Sequence, residues 1–315
     1  MKRLILIDGN AILHRAYHAL PPLTTKKGEP INAVYGLVSM LLRVIQDLKP
    51  AYIAVCFDRP EPTFRQKQFA SYQAQRPPME KNLSSQFSKA KDIFTAMKIP
   101  IYEMAGYEAD DIIGTLAEIV ASEKLYERVS DYVPHPEKNQ IVIVTGDRDI
   151  LQLVNDERNI QVYMPIKGLT DAKLMKEEDV VKKFGVKPDR IPDYKALVGD
   201  PSDNYPGVAG IGPKTAVDLL QRFRSLEQIY KNLDKINPKV REKLEKGKKD
   251  AFLSLKLAMI VRNVDLEIDL EETGKWKLDD KALLDLFAEY GFKTLAQRVK
   301  SVSKKIEHEI QMKLL

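Results

Sequence analysis

Residues 3–10, Arg-Leu-Ile-Leu-Ile-Asp-Gly-Asn, form a short apolar run that ends on an acidic residue, and this pattern recurs along the chain. Similar β-rich runs lie at 51–57, 140–145 and 160–163, and segments with helical periodicity separate them. One such segment, 34–48, has apolar residues at spacings of three and four, which predicts a helix packed against a sheet. Alternation of strands and helices is typical of an α/β unit with a parallel sheet.

The chain changes character after about Lys176. Strand-like runs become scarce there, and short, lysine-rich helical segments follow. We therefore predict an α/β domain over 1–178, a smaller all-helical domain over 179–300 and a C-terminal tail over 301–315. The stretch 126–139 contains two prolines and little periodicity, and we interpret it as a surface loop.

The composition is that of a folded protein with a mild positive charge. The 315 residues include 50 Lys or Arg and 45 Asp or Glu, which gives a net charge of +5. Cys56 is the single cysteine, so neither an internal disulfide nor a thiolate metal cluster can form, which fits a reducing compartment. No apolar run approaches the ~18 residues that a membrane span requires. We expect a cytoplasmic monomer without a membrane anchor.

Acidic residues directly follow three of the predicted strands. Asp8, Asp58 and Asp147 come after apolar runs, and Asp149 lies two residues beyond Asp147. Because the carboxyl ends of parallel strands share one edge of a sheet, these side chains are expected to converge there. A further acidic group, Glu108, Asp110 and Asp111, precedes an apolar helical segment. Another, Asp200 and Asp203, lies in the loop before the helical domain.

A single acidic residue in such a place is typical of helix capping or of a turn. A converging set is different, because carboxylates in one site repel each other strongly unless cations lie between them. Oxygen ligands without thiolates or clustered imidazoles favour Mg²⁺ or Mn²⁺ over zinc. Two such ions about 4 Å apart stabilise the attacking and leaving oxygens of a phosphoryl transfer, which is the chemistry that this pattern favours.

The glycine-rich stretch 206–216, Pro-Gly-Val-Ala-Gly-Ile-Gly-Pro-Lys-Thr-Ala, precedes a helical segment. A nucleotide-binding P-loop beginning at Gly207 requires lysine at 213, where this chain has proline. We interpret 205–223 as a helix-hairpin-helix, in which free amides at the N-terminus of the second helix accept a DNA phosphate. A glycine-rich turn between two packed helices is the alternative. From 231 to 262, ten basic residues against four acidic ones also suit contact with a phosphate backbone.

A series of motifs occurs in a fixed order between about Leu4 and about Leu295. They are Ile7-Asp-Gly-Asn10, Arg15-Ala-Tyr17, Asn32-Ala-Val-Tyr-Gly36, Phe57-Asp58, Thr63-Phe-Arg65, Gly106-Tyr-Glu-Ala-Asp-Asp111, Thr145-Gly-Asp-Arg-Asp149 and Gly199-Asp-Pro-Ser-Asp-Asn204. In these motifs the chain resembles the 5′→3′ exonuclease domain of bacterial DNA polymerase I and the related flap endonucleases.

The resemblance implies a PIN-like, Rossmann-like parallel sheet with flanking helices, followed by the helix-hairpin-helix domain. Residues of about 59–105 would form a helical arch through which a single-stranded 5′ end passes. The resemblance also implies two divalent ions, with Asp110 and Asp147 as the strongest candidate ligands, and K⁺ at the hairpin. The implied metal ligands are Asp8, Asp58, Glu108, Asp110, Asp111, Asp147, Asp149, Asp200 and Asp203.

The same resemblance assigns contacts with DNA. Arg15, Arg65 and Arg76 are expected to contact the scissile or neighbouring phosphates. Tyr35 and Tyr72 are expected to stack on bases, with core packing as the alternative for both. The hairpin residues expected to bind DNA are Gly207, Gly210, Ile211, Gly212, Lys214 and Thr215.

The chain departs from the family at Gln73. The arch motif usually reads Tyr-Lys-Ala-x-Arg, whereas here it reads Tyr72-Gln-Ala-Gln-Arg76, so glutamine replaces a lysine expected to aid catalysis. Glutamine donates a hydrogen bond to a phosphate but carries no charge, and Lys67 and Lys81 are candidate substitutes.

We therefore expect a metal-dependent 5′→3′ exonuclease or flap endonuclease of DNA replication and repair. Its expected substrates are 5′ flaps, nicked or gapped duplexes and RNA-primed ends, with a polymerase or a ligase as a candidate partner. Two alternatives stay open, a DNA junction-binding module with weakened catalysis, suggested by Gln73, and a PIN-type ribonuclease. The sequence fits both a stand-alone exonuclease and a fragment of a DNA polymerase I.

Overall fold

The four strands predicted from the apolar runs, together with two further short strands, form one mixed sheet in the computed structural model, which describes residues 2–122, 139–167 and 171–314. They are β1 (Arg3–Asp8), β2 (Tyr52–Cys56), β3 (Ile101–Tyr102), β4 (Gln140–Val144), β5 (Ile160–Lys167) and β6 (Asp171–Met175). The strand order is β3-β2-β1-β4-β5-β6, and the neighbouring pairs are parallel except for β5 with β6. The expectation of a wholly parallel sheet is therefore wrong at this one edge.

Helices cover both faces of the sheet and make up most of the chain after residue 176. Within the described residues they are α1 (Gly9–Ala19), α2 (Asn32–Leu48), α3 (Phe64–Gln68), α4 (Lys81–Ser84), α5 (Phe87–Ala96), α6 (Ala109–Ala121), α7 (Glu177–Phe184), α8 (Ile191–Val198), α9 (Pro213–Phe223), α10 (Leu226–Lys231), α11 (Pro238–Lys246), α12 (Lys248–Ala258), α13 (Leu270–Thr273), α14 (Lys281–Tyr290) and α15 (Lys293–Leu314). Short 3₁₀ turns lie at Asp149–Leu153, Pro188–Arg190 and Leu233–Lys235.

The central strands bury both of their faces, because successive side chains of a strand point to opposite sides of a sheet. Ile5 and Ile7 pack into one hydrophobic core with α1, α2 and α5, whereas Leu4 and Leu6 pack into a second core with α6. The result is a sheet between two helical layers. This confirms the α/β prediction and the predicted helix at 34–48, which lies within α2.

Helices α8 to α12 enclose a third core between residues 186 and 251. Leu197, Leu219 and Leu244 contribute fully buried side chains to it. Helix α9 starts with Pro213 directly after the glycine-rich stretch, where the missing proline N–H leaves no donor unsatisfied. The second, helical domain and the second helix of the hairpin are thus confirmed.

The C-terminal part of the chain does not belong to that helical domain. Leu283 and Phe287 of α14 and Leu295 and Val299 of α15 are buried in the core that α2 and α5 share with the sheet. Val302 lies in the same core, so the predicted boundary at 300 and the predicted tail from 301 are wrong. The sequence of this region is helical, and periodicity alone does not say which core a helix covers.

The predicted arch also extends less far than expected. Ile93 and Phe94 of α5 are fully buried in the first core, and β3 pairs in parallel with β2 as the edge strand of the sheet. The second half of the range 59–105 is therefore part of the α/β core, and that prediction is wrong. Residues 59–82 are the portion that lies beside the carboxyl edge of the sheet.

Two further expectations concern the predicted loop at 126–139 and membrane-spanning helices. The loop predicted at 126–139 lies outside the described residues apart from its last residue. In the part of the chain that the structure describes, no helix has both the length and the apolar character that crossing a bilayer demands.

Candidate active site

The first acidic side chain of the site belongs to Asp8, the last residue of β1 and the N-cap of α1. Its carboxylate accepts hydrogen bonds from the Ala11 amide at 2.9 Å and from the Thr145 hydroxyl at 2.6 Å. Burial raises the pKa of Asp8 to about 7 against these hydrogen bonds, and the charges of Asp58 and Asp147 add to the rise. The hydrogen bonds hold the carboxylate in position, but burial and the neighbouring carboxylates disfavour its negative charge.

The start of α6 brings a second acidic group to the same edge. Asp58, which follows β2, accepts a hydrogen bond from the Ala109 amide in the first turn of α6 at 2.7 Å. Burial and the charge of Asp147 raise the pKa of Asp110 well above its ordinary value, and burial raises that of Glu108 to about 7. The positive end of a helix favours negative charge, but here several carboxylates share it.

The turn after β4 carries the third group. The Asp147 amide donates to the Thr145 hydroxyl at 2.9 Å, and the Asp149 amide donates to the Asp147 carboxylate at 2.8 Å. Burial raises the pKa of Asp149 to about 6, although the ammonium group of Lys195 on α8 donates to this carboxylate and opposes the rise. Sequence reasoning missed Lys195, which carries no motif of its own.

The loop that follows α8 brings the last two predicted ligands to the site. Lys195 also donates to the Asp200 carboxylate, which accepts the Ser202 amide at 2.8 Å. Burial acts to raise the pKa of Asp200, but Lys195 and Ser202 hold it below its ordinary value. Carboxylate oxygens of Asp149, Asp200 and Asp203 lie within 4.8 Å of one another, so these three residues form a candidate cation site.

Most of these carboxylates meet at one cavity of about 480 Å³. Its wall includes the side chains of Gln73 and Arg76, which both donate to the Asp203 carboxylate, at 3.2 and 2.6 Å. Lys67 and Lys81 are not among the residues that line it. Seven of the nine predicted ligands do line it: Asp8, Asp58, Glu108, Asp110, Asp147, Asp149 and Asp203.

Two predicted site residues have a different role. The Arg65 guanidinium uses all five of its N–H donors inside the protein, and the Arg65 side chain is 2% exposed. Its partners are the Asp111 and Glu108 carboxylates and the carbonyls of Leu257 and Met259. Arg65 therefore has no donor left for a phosphate, and the prediction that it contacts one is wrong.

The prediction that Asp111 binds a metal is wrong for the same reason. The Asp111 side chain is fully buried, and its two oxygens accept hydrogen bonds from Arg65 at 2.6 and 2.8 Å. They also accept the amides of Glu108 at 3.1 Å and Val261 at 2.8 Å. Asp111 thus holds the start of α6 against the chain that leaves α12.

Gln152 makes the matching connection for the turn after β4. Its amide nitrogen donates to the carbonyls of Asp149 and Ala258 at 3.1 and 3.0 Å, and its oxygen accepts the Ile260 amide at 3.0 Å. Residues 257–261, which lead back from the helical region, are therefore fastened to both carboxylate-bearing elements. We call 257–261 the junction segment. A buried glutamine gives no sequence signal for such a role.

The two tyrosines follow the alternative that sequence analysis left open. The Tyr35 ring packs edge-on against Phe292, with ring centroids 5.2 Å apart, beside the first core. Tyr72 is 4% exposed, and its hydroxyl donates to Glu108 at 3.3 Å. Both rings thus pack within the protein, although Tyr72 also lines the cavity, and stacking on a base stays a prediction for both.

The hairpin divides the residues predicted to bind DNA into two sets. Gly207 and Ile211 are buried, and the Gly207 amide donates to the Ser254 hydroxyl at 3.1 Å, so they shape the loop instead of facing solvent. The exposed or half-exposed set at the start of α9 consists of Gly210, Gly212, Lys214 and Thr215.

The carbonyl of Gly210 accepts a hydrogen bond from the Lys243 ammonium group at 3.0 Å. The ammonium group of Lys243 is thus a competing cation at the loop, and the K⁺ expected there stays a prediction. Arg15 is half-buried beside the turn after β4, with its Cδ and Nη1 atoms 3.9 Å from the position that a Cβ on Gly146 would take. It stays a candidate for contact with a phosphate at the rim.

The sheet, the convergent carboxylates and the basic helical region have counterparts among known proteins. A family described as "5'-3' exonuclease, N-terminal resolvase-like domain" matches residues 3–185, and one described as "5'-3' exonuclease, C-terminal SAM fold" matches residues 186–281. The chain belongs to the 5′-3′ exonuclease family of nucleases.

Among curated relatives, the chain is 42% identical over 297 residues to the DNA polymerase I of Caldicellulosiruptor bescii. The aligned region covers 94% of this chain and 33% of that protein. The chain therefore spans about a third of the length of the polymerases that it matches. It is 38% identical over 302 residues to the 5'-3' exonuclease of Aquifex aeolicus, which covers 96% of both chains.

Solved structures share the fold at lower identity. The bacteriophage T5 D15 flap endonuclease, solved in complex with DNA and metal ions, matches with a TM-score of 0.61 at 21% identity, covering 97% of this chain and 100% of that one. Flap endonuclease-1 of Methanococcus jannaschii matches with a TM-score of 0.56 at 17% identity, covering 98% and 93%. Both confirm the predicted PIN-like fold.

Proposed function

We propose that the chain is a metal-dependent 5′→3′ exonuclease and flap endonuclease that hydrolyses DNA phosphodiesters. The observation that carries the proposal is the single cavity in which seven carboxylates face the side chains of Arg76 and Gln73. Carboxylates are the ligands that hard divalent cations prefer, and a guanidinium is suited to a phosphate. Membership of the 5′-3′ exonuclease family supports the same activity.

The donor set fits Mg²⁺ or Mn²⁺. The cavity offers carboxylate oxygens, and burial together with mutual repulsion raises the pKa of Asp8 and Asp110, so divalent cations relieve an unfavourable concentration of negative charge. Two such ions, when bound, would activate water and neutralise charge that develops on the phosphate. The residues that we propose as their ligands are Asp8, Asp58, Glu108, Asp110, Asp147, Asp149, Asp200 and Asp203.

Arg76 and Gln73 supply the protein's own contacts with the phosphate. The Arg76 side chain is 53% exposed, and its salt bridge to Asp203 is of the partly exposed kind that contributes little to stability. The guanidinium can therefore exchange Asp203 for a phosphate at small cost. We assign to Arg76 the charge contact with the scissile or neighbouring phosphate, and to Gln73 an uncharged hydrogen bond beside it.

The helical region would hold the duplex. The start of α9 presents exposed backbone amides beside Lys214, and α11 and α12 carry further exposed lysines. Contacts of this kind are insensitive to base sequence and weaken with salt. We propose 5′ flaps, nicked or gapped duplexes and RNA-primed ends as substrates, cut by a cytoplasmic monomer during DNA replication and repair beside a polymerase or a ligase.

The test is cleavage of a 5′-labelled flap duplex, with a blunt duplex and a single-stranded RNA for comparison, in Mg²⁺ and in EDTA. We expect release of the flap in Mg²⁺ only, and Asp110→Asn should abolish it while binding of the flap duplex persists. Tight binding without cleavage in either Mg²⁺ or Mn²⁺ would overturn the proposal in favour of a junction-binding module. Preferential cutting of the RNA would overturn it in favour of a ribonuclease.

A further inference from the structure

One buried hydroxyl of the site has no hydrogen-bond partner. Among the described residues, the Tyr205 hydroxyl is the single buried side-chain polar atom without a partner in the protein, and Tyr205 is 3% exposed. Buried polar groups in folded proteins are nearly always paired, because an unpaired one has lost its hydrogen bonds to water without gaining others. The position of this hydroxyl therefore requires an explanation.

The backbone places Tyr205 at the candidate cation site. Its amide donates to the Asp200 carbonyl at 3.2 Å, and its carbonyl accepts the Asp200 amide at 3.0 Å, which closes the loop that carries Asp200 and Asp203. The ring packs in a small cluster with Tyr72, Leu257 and Ala258. Tyr205 is thus held from both sides, by the loop with two candidate ligands and by the junction segment.

The charges around the hydroxyl are those of the same carboxylates. The charged side chains that act on the Tyr205 hydroxyl are Asp149, Asp200 and Asp203, with Arg65 opposing them. A tyrosine hydroxyl carries one O–H donor, and here the protein offers that donor no partner. Lys195, the other cation at this cluster, donates to Asp149 and Asp200 and leaves the tyrosine hydroxyl unpaired.

We propose that Tyr205 is a positioning residue for a divalent cation at Asp149, Asp200 and Asp203, whose hydroxyl donates its hydrogen bond to a hydration water of that ion. This inference rests on the proposed metal-dependent function and adds a residue to it. Mg²⁺ and Mn²⁺ keep part of their hydration shell in carboxylate sites, so a buried donor beside three carboxylates has a suitable acceptor there.

The proposal makes two predictions of opposite sign for Tyr205→Phe. Without metal, removing an unpaired buried hydroxyl relieves its desolvation cost, so the variant should melt about 2 °C or more above the parent protein in EDTA. With metal, the same variant loses a hydrogen bond, so its Mn²⁺ affinity should fall about 2–10-fold. A hydroxyl with a purely structural role would not couple these two effects.

The experiment titrates Mn²⁺ into the full chain without nucleic acid and follows the free ion by electron paramagnetic resonance, beside thermal melts in EDTA. Tyr230→Phe is the matched control, because the Tyr230 hydroxyl donates to the Leu244 carbonyl at 2.9 Å within the helical region. We expect that control to melt at a lower temperature than the parent and to bind Mn²⁺ with unchanged affinity.

The outcomes separate this inference from the function on which it rests. Equal Mn²⁺ affinity of Tyr205→Phe and the parent would overturn the role of Tyr205 and leave the proposed nuclease intact. Absence of any Mn²⁺ binding by the parent would overturn both. A variant that melts below the parent in EDTA would show that the hydroxyl is already satisfied in the free protein, which also overturns the inference.

Discussion

Arg65 and Arg76 lie on one short segment beside the carboxylate cavity, yet the protein uses them in opposite ways. The Arg65 side chain is 2% exposed and donates to two carboxylates and two carbonyls. The Arg76 side chain is 53% exposed, and its short contact is with Asp203 alone. The first belongs to the closed side of the site, with Asp111, Gln152 and the junction segment, and the second to the open side, with Gln73.

The two arginines show that residue type alone does not determine the role of a side chain at an acidic site. A guanidinium whose donors are all satisfied in a buried network is fixed, and its charge is cancelled where it stands. A half-exposed guanidinium such as that of Arg76, with one carboxylate and a long contact to the Ser202 carbonyl, is exchangeable, because solvent or a phosphate can replace these partners. The closed side therefore sets the geometry of the carboxylates, and the open side is available to contact the substrate.

The largest expected effect is on the closed side. Arg65→Ala leaves the Asp111 carboxylate buried without its cation, so we expect the free energy of unfolding to fall by about 3–5 kcal/mol. Urea unfolding of the variant measures this loss. The double variant Arg65→Met with Asp111→Leu removes both charges and should recover much of it. A loss below about 1 kcal/mol in Arg65→Ala would show that the network is not structural.

The next effect, on the open side, should be on cleavage and not on stability. Arg76→Ala removes a charge that we assign to the phosphate, so we expect single-turnover cleavage of a flap duplex to slow by about 100-fold, equivalent to ~2.7 kcal/mol. The free energy of unfolding should change by less than about 1 kcal/mol. Loss of stability comparable to that of Arg65→Ala would remove the distinction between the two sides.

A third prediction tests whether the closed side controls the site beyond stabilising the fold. Gln152→Leu leaves the Asp149 and Ala258 carbonyls and the Ile260 amide without this partner, and should cost about 1–3 kcal/mol of stability. Gln140→Leu is the matched control, since Gln140 is a buried glutamine at the opposite end of β4 that pairs with Arg3 and Gln161.

Both glutamine variants should unfold at similar urea concentrations, so that a difference in their cleavage rates does not reflect a difference in stability. Cleavage should slow by about tenfold in Gln152→Leu and not in Gln140→Leu, because of these two glutamines it is Gln152 that connects the turn carrying Asp149 to the junction segment. Equal cleavage rates in the two variants would mean that the junction segment stabilises the chain without placing the carboxylates.

The sequence predicted the part of this architecture that local pattern encodes. Apolar runs of four to six residues precede Asp8, Asp58 and Asp147. These runs predicted both the sheet and the edge at which the candidate metal ligands meet. The helices α14 and α15 were recognisable as helical, but their return to the first core depends on long-range packing that periodicity does not report. The antiparallel β6 was missed because its five residues, Asp-Ala-Lys-Leu-Met, include none of the β-branched or aromatic types that favour a strand.

The site shows the same limit at the level of single side chains. Seven carboxylates line the cavity because strand ends, a helix start and, for Asp203, the loop after α8 bring them there. Asp111 sits next to Asp110 in the sequence, yet the turn of the helix points it away from the cavity toward Arg65. Lys195, Gln152 and Tyr205 gave no signal, since their roles arise from contacts between segments distant in sequence.

The smallest expected effect concerns Gln73, the position at which the family resemblance implies a lysine. Gln73 lies on the cavity wall with a left-handed backbone, φ of 55°, and donates to Asp203 at 3.2 Å. Lysine tolerates that backbone no worse than glutamine, so Gln73→Lys should leave stability within about 0.5 kcal/mol. The added charge should speed single-turnover cleavage by up to about tenfold, because one further cation then faces the phosphate.

Arg76→Lys is the reference for that gain, because it keeps one charge on the open side but loses the planar fork of the guanidinium. We expect it to cleave more slowly than the parent, while Gln73→Lys cleaves faster. If Gln73→Lys left the rate unchanged, Arg76 alone would supply the charge that the open side needs, and the glutamine would be a neutral replacement. If it slowed cleavage, the uncharged hydrogen bond from Gln73 would itself be part of how this site holds its phosphate.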